Sequence, residues 1–215
     1  SSAASDVYKR QYIYSRTRES AEQLSERLRD VPYSTDISRV STDGDLYIFA
    51  VKDSALLDLV SRMPANRGLW VHTAGSMDME VFAPYTARYG VFYPMQTFSK
   101  ERKTDFDDIP IFVEANHTND TERLQELAGR LSTKVYEATS EQRKYLHLAA
   151  VFACNFTNHL YALCDRILSE HGLPFETMLP LIRETAAKVA DMPPAQAQTG
   201  PAIRYDKNVI DKQMA

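Results

Sequence analysis

The run Tyr145 to Leu163, YLHLAAVFACNFTNHLYAL, is apolar except for a few polar side chains that recur at helical spacing. His147, Asn155 and His159 stand eight and four residues apart, so on a helix they share one face, with Asn158 at its edge. A helix apolar nearly all round predicts a buried one. Polar groups on a buried face cost on the order of 1–3 kcal/mol each unless they are paired. One alone would pass as a satisfied core histidine, whereas four along one stripe point to a cleft, a ligand or a subunit interface. Histidine suits proton transfer, because its unperturbed pKa is about 6.5. His and Asn without a carboxylate or thiolate at ligand spacing do not make a metal site, and no metal is expected.

A second set lies near the amino end. In YIYSRTRESAEQL, a short strand runs into Ser15-Arg16-Thr17-Arg18 and then into a helix. In a dinucleotide-binding fold this is the position beside the adenosine ribose, where an acid grips the 2′-hydroxyl of NAD. Arginine is a permanently charged, planar donor that suits a 2′-phosphate, and the neighbouring hydroxyls add donors. A helix cap with two solvated arginines is the plainer reading of the same residues. A third set, His72-Thr-Ala-Gly-Ser76, leaves a strand at its carboxyl end, where ligands bind in open α/β sheets. Tyr93-Pro-Met-Gln-Thr97 ends the next strand. Both loops could equally be ordinary polar turns.

These residues need a frame. From Tyr12 to about Tyr136, short β-type runs alternate with helical ones, which predicts an α/β fold with a largely parallel, doubly wound sheet. Strands are expected at Tyr12–Tyr14, 33–35, Leu46–Val51, Leu69–Val71, Tyr89–Tyr93, Ile109–Glu114 and Lys134–Tyr136. Leu46–Val51 reads as buried on both faces. Helices are expected from the Thr17 cap through Leu28, with Leu24 and Leu28 inward, from Asp53 or Ser54 through Val60, and from Asp120 to Leu131. After Ser140 the pattern is all-helical: one helix to Leu168, one from Phe175 to Asp191, then MPPAQAQTGPAIRYD and the start of a third. Thr199-Gly-Pro201 with Arg204 is a rigid turn that could close over an anion, or simply link two helices. The boundary falls near Ala138, which divides a Rossmann-like domain at 12–138 from a helical one at 139–215. Ser1 to about Gln11 reads as a non-native linker scar, and NVIDKQMA stops partway through a helix.

Composition is that of an ordinary globular chain: 215 residues, 44% hydrophobic, 25% charged and 7 Gly. A net charge of -4 argues against a nucleic-acid partner. No apolar run approaches the ~20 residues that span a bilayer, so no membrane partner is expected. Cys154 and Cys164 fall ten residues apart on one helix, ~15 Å along its axis, too far for a bridge. A reducing cytoplasm follows as the expected setting. Hydrolase, Walker and CxxC signatures are absent, and so is GxGxxG.

HTAGS, YGVFYPMQTFS, IPIFVEA, LHLAAVFACNFTNHLYAL and TGPAIRYD occur in that order. The series resembles a family designated NADP-dependent oxidoreductases, a Rossmann-like domain plus a helical domain of uncharacterised function. That family is akin to ketopantoate reductase, pyrroline carboxylate reductase and the hydroxyacid dehydrogenases related to 6-phosphogluconate dehydrogenase. The resemblance covers nearly the whole chain from Tyr12. It implies that a first strand with its glycine loop, and the last helices, lie outside this sequence. Relatives with known reactions carry a lysine and an asparagine on the first long helix of the second domain, beside the nicotinamide. Asn155 matches that asparagine, while the lysine position falls on Val151. Many members have His-Pro before the QTF loop, whereas here Tyr93 precedes Pro94, so the resemblance implies that Tyr93 takes over a hydrogen-bonding role.

The resemblance and the residues together lead to an NADP(H)-dependent oxidoreductase acting on a small carbonyl, hydroxyl or imine compound in an interdomain cleft. Ser15, Arg16, Thr17, Val51, His72, Thr73 and Gly75 are expected at the cofactor. His147, Asn155 and His159 are expected to orient substrate or donate a proton, with Gln96, Thr97, Asn158 and Thr199 lining the substrate pocket. A homodimer is expected. The alternative is a non-catalytic NADP(H)-binding or sensing protein that dimerises through its helical domain.

Overall fold

The computed structural model describes residues 11–99 and 104–199. Most of the segment read as a linker scar, residues 1–10, lies outside them, as do Pro201, Arg204 and the expected helix start at the carboxyl end. The chain divides into two compact units, Ser1–Phe152 and Ala153–Ala215.

The first unit alternates strands and helices in the predicted order. β1 (Ile13–Tyr14) leads into α1 (Arg18–Arg27), then β2 (Tyr33–Ser34), β3 (Leu46–Phe49) and α2 (Asp53–Ser61). β4 (Leu69–His72), β5 (Tyr89–Pro94), β6 (Ile111–Ala115), α3 (Thr118–Gly129), β7 (Val135–Glu137) and α4 (Ser140–Ala150) follow. β1 and β2 pair in parallel as one small sheet, and the other strands form a second sheet in the order β3-β4-β5-β6-β7. All pairings in the second sheet are parallel except β5 with β6. The fold is therefore a Rossmann-like, mostly parallel α/β sheet. β1 and β3 each keep one edge unpaired among the described residues.

Side-chain alternation along β4 builds the two cores. Leu69 and Val71 face one cluster with Phe92, Ile111, Val113, Leu124 and Ala128. Trp70 faces the other, with Phe49, Leu56, Val60 and Phe82. β4 is buried on both faces along its length, as fits a strand with a neighbour on each side.

Several expectations are corrected. β3 stops at Phe49, and Ile48 is 52% exposed, because an edge strand is covered less than a central one. The inner face of α1 is Ala21 and Ser25, one turn apart, while Leu24 and Leu28 are exposed. Lys52 rather than Asp53 or Ser54 stands at the cap of α2, without a side-chain bond. α3 begins at Thr118, so Asp120 lies inside its first turn, buried and ion-paired with Arg88.

α4 opens with a reciprocal cap. The Thr139 hydroxyl accepts from the Gln142 amide N–H, and the Gln142 side chain accepts from Thr139 N–H. Val151–Phe156 then form a π-helical segment, followed by α5 (Thr157–Glu170). No residue of α5 is buried, and in α4 only Ser140 and Arg143 are. The expectation of a helix buried all round is not met in the chain by itself: Leu148, Leu160 and Ile167 are more than half exposed, while Leu146, Tyr161 and Leu163 are half-buried. The second unit continues through a 3₁₀ turn at Phe175–Met178 into α6 (Leu179–Asp191) and the short α7 (Pro194–Ala197). Among the described residues no helix is long and apolar enough to cross a membrane.

Candidate functional site

The loop from Thr73 to Asp78 follows β4 at the carboxyl end of the sheet and is pinned at several points. His72, fully buried, directs Nδ1 at the Ala74 amide N–H (3.2 Å) and Nε2 at the Asp78 carbonyl (3.4 Å). That pattern fits the neutral ring with its proton on Nε2. Burial pushes its pKa down to about 4, and the nearby Arg143 charge adds to the shift. The Ser76 hydroxyl donates to the Asp53 carboxylate across 2.5 Å, which joins this loop to the start of α2. Arg143 donates to the Met77 carbonyl at 2.8 Å, and the Met79 amide N–H donates to Ser140 Oγ at 3.2 Å.

Arg143 is the centre of this scaffold. It is wholly buried, ion-paired with Glu114 of β6, and shares Ser140 Oγ as an acceptor at 3.1 Å. Ser140 Oγ in turn donates to Glu114 at 2.8 Å. A buried charge needs such a partner, since an unpaired one costs several kcal/mol.

Gly75 lies at the bottom of the loop, buried, beneath two polar side chains. A Cβ at Gly75 would sit 2.7 Å from Tyr93 Cζ, 2.8 Å from Tyr93 Oη and 2.9 Å from His147 Nδ1. A side chain at this position would have to push these two tips aside. The loop after β4, the end of β5 and α4 therefore converge within the first unit. Tyr93 is half-buried and packs on Phe112 with ring centroids 6.4 Å apart, whereas His147 is exposed. Burial raises the Tyr93 phenol above its ordinary pKa; the Arg143 charge opposes the shift and Asp53 reinforces it.

The ribose end is shaped differently. Ser15 is half-buried after β1, and Arg16 and Thr17 are exposed. Arg18 is bound to Glu22 at 2.7 Å, and Glu22 also accepts from the Tyr33 hydroxyl. Arg16 makes no ion pair among the described residues, so its guanidinium is available. Thr17 stands at the N-cap of α1 as expected, but its hydroxyl donates to Ser20 Oγ at 2.8 Å instead of accepting from a first-turn amide.

Of the other predicted residues, Val51 and Thr73 are half-buried just beyond β3 and β4. Gln96 and Thr97 are exposed beyond β5, with Gln96 Oε1 accepting from the Thr97 amide N–H at 2.8 Å. Asn155, Asn158, His159 and Thr199 belong to the second unit and are exposed. Sequence reasoning read Asp53 as a cap and passed over Arg143 and Glu114. The capping pair Thr139/Gln142, which fixes where α4 starts, was the available signal that Arg143 sits on its first inward turn. Grooves of about 360 and 370 Å³ border α3. The former is lined by Leu46 and Leu69, at the amino ends of β3 and β4. That is the opposite end of the sheet from the converging loops.

A mostly parallel sheet with a pinned loop at its carboxyl ends, followed by a helical region, defines the class: a Rossmann-like α/β protein with a helical carboxyl-terminal domain. Residues 109–215 match a domain of unknown function, DUF2520. A Bacteroides fragilis protein described as a putative NADP oxidoreductase is 52% identical, with 94% of this chain and 79% of that one covered and a TM-score of 0.83. The chain belongs to the family of that NADP oxidoreductase. A Thermotoga maritima protein is 24% identical over 94% of this chain and 80% of its own, TM-score 0.80, and shares the fold. A pyrroline-5-carboxylate reductase from Streptococcus pyogenes shares it too, at 12% identity over 91% and 74%, TM-score 0.63. No curated protein matches.

Proposed function

We propose that the protein is an NADP(H)-dependent oxidoreductase acting on a small carbonyl, hydroxyl or imine compound. The observation that carries this is the Ser15–Thr17 turn, in which Arg18 is committed to Glu22 and Arg16 is left to meet an anion. The loop that holds Gly75 leaves β4 at the carboxyl end of the sheet, where ligands bind in open α/β folds. Ser15, Arg16 and Thr17 hold the 2′-phosphate, and Val51, Thr73 and Gly75 line the inner half of the cofactor. His72 acts from beneath, by shaping the loop. His147, Asn155 and His159 orient the substrate, with Gln96, Thr97, Asn158 and Thr199 as lining. When bound, the nicotinamide supplies or accepts a hydride.

In the complete protein, Arg16→Ala weakens NADPH binding by about 1.5–3 kcal/mol, the scale of a charge-assisted hydrogen bond, and leaves NADH nearly unchanged. Equal losses for the two cofactors would sink the assignment of the turn.

A second reading, an NADP(H)-binding protein without turnover that dimerises through its helices, draws on the exposed apolar side chains of the second unit. Leu160 and Ile167 on α5 and Leu181 and Val189 on α6 are all at least half exposed. An apolar helix face of this kind fits a second copy. Leu160→Asp converts the dimer to a monomer in sedimentation if this face carries it. NADPH oxidation by any member of a carbonyl and imine panel separates the two readings.

A further inference from the structure

Tyr93 and His147 come from elements 54 positions apart in sequence, yet a single point, the Cβ position of Gly75, lies within 2.8 Å of Tyr93 Oη and 2.9 Å of His147 Nδ1. The two polar atoms are therefore at most one water apart. Neither side chain makes a hydrogen bond to another described residue. His147 is solvent-exposed on α4, while the Tyr93 hydroxyl is half-buried at the carboxyl end of β5. Behind Tyr93 lie the buried Arg143 charge, held by Glu114, and the Asp53 carboxylate, held by Ser76. Burial and the Asp53 carboxylate keep the Tyr93 phenol protonated, with the Arg143 charge working against them, so the group stands ready as a proton donor.

We propose that Tyr93 and His147 form a proton-relay pair above Gly75, in which Tyr93 protonates the substrate's oxygen or nitrogen and His147 restores the Tyr93 proton. The proposal rests on the oxidoreductase reading. A bound NADPH would supply hydride to the carbon of a C=O or C=N group, and the heteroatom that gains the π pair would need a proton. That heteroatom takes the phenolic proton. The phenolate then takes the Nδ1 proton of the imidazolium, and the imidazole regains a proton from water at its exposed edge. One hydride and one proton are added to the substrate in all, and the reverse order serves oxidation. Tyr93 touches substrate in this scheme, and His147 acts through it.

The pair can be tested without cofactor. In protein with isotope-labelled histidines, the His147 ring signal is identified by its loss in His147→Gln, and its titration is followed by NMR. Tyr93→Phe, which removes one oxygen and preserves the ring packing, shifts the His147 midpoint by ~0.3 pH unit or more. Gly75→Ala, which keeps both groups but forces them apart, shifts it in the same direction. An unmoved midpoint in Tyr93→Phe overturns the pair. In turnover of NADPH with small ketones and cyclic imines, Tyr93→Phe lowers kcat about 10²–10⁴-fold. The Kd for NADPH stays within about twofold, because the lost hydroxyl serves the proton step. A fall in NADPH affinity parallel to kcat overturns the relay in favour of cofactor binding. Wild-type protein that binds NADPH and turns over none of the panel counts against the oxidoreductase reading, and the His147 titration then decides the pair by itself.

Discussion

The Arg143 guanidinium of α4 is ion-paired with the Glu114 carboxylate of β6, with none of the arginine side chain exposed. The pair links the first turn of the long helical segment to the sheet, and its second donor arm fixes the Met77 carbonyl of the loop beneath Tyr93.

Removing one partner leaves a buried charge uncompensated. Arg143→Met therefore destabilises the protein by about 3–5 kcal/mol, read from the shift in the urea midpoint. Replacing both groups, Arg143→Met with Glu114→Leu, recovers part of that loss, because an apolar pair needs no desolvation. A double variant no more stable than the single one would show that the contacts to Met77 and Ser140, not the charge pairing, dominate.

His72 makes stability depend on pH with a definite sign. Unfolded, histidine gains its proton near pH 6.5; folded, His72 does so only near 4. Between these values the unfolded chain binds more protons, so stability falls as the pH drops through the window. The whole loss is on the order of 3 kcal/mol, and it is complete below the folded value. Urea midpoints at pH 7, 5.5 and 4.5 check this. His72→Asn is less stable at pH 7 but has a flatter profile, and parallel profiles for the two proteins would overturn the assignment.

Gly90 in β5 is irreplaceable for a steric reason. A Cβ there runs into the Glu114 carbonyl oxygen and comes within 2.9 Å of the Ala115 Cα, both backbone atoms of the antiparallel partner β6. Backbone cannot swing aside as a side-chain tip can. Gly90→Ala breaks the β5–β6 register and lowers the thermal midpoint by about 10 °C or more, whereas Gly129→Ala, with open space around it, raises stability by about 0.5–1 kcal/mol. Comparable effects at the two positions would refute the steric account.

The alternation of strands and helices was readable because it rests on local periodicity, but the starts of α2 and α3 were not: Lys52 stands at the cap of α2, and α3 begins at Thr118 rather than Asp120. The run expected to be buried on both faces, Leu46 to Val51, is an edge strand with Ile48 exposed, and the strand buried on both faces is Leu69 to His72. Exposure was far less readable. Leu24, Leu28 and Ile48 look like core residues by type, but burial depends on which neighbours arrive, and a single sequence carries no record of that. The π-helical segment at Val151–Phe156 changes how the polar residues of the long helix are spaced, and no residue in it announces the change. At the candidate site, Gly75 and His147 were named from loop position and residue type. Their meeting with Tyr93 was not legible, because three separate elements must fold before the residues converge. Asp53 misled for the same reason: an acid at a helix start is ordinarily a local cap, and here its carboxylate reaches Ser76, 23 residues away.

The unpaired edge of β3 also governs how the protein behaves in the test tube. Leu46, Tyr47, Ile48 and Phe49 carry no charge or proline, and among the described residues one row of their amides and carbonyls has no neighbouring strand. Such an edge accepts any extended chain that reaches it, including the same strand of another copy. Refolding yield is then set by a race between intramolecular closure and edge-to-edge capture. Turbidity that climbs with protein concentration is its sign, and a lysine in place of Ile48 is the simplest remedy.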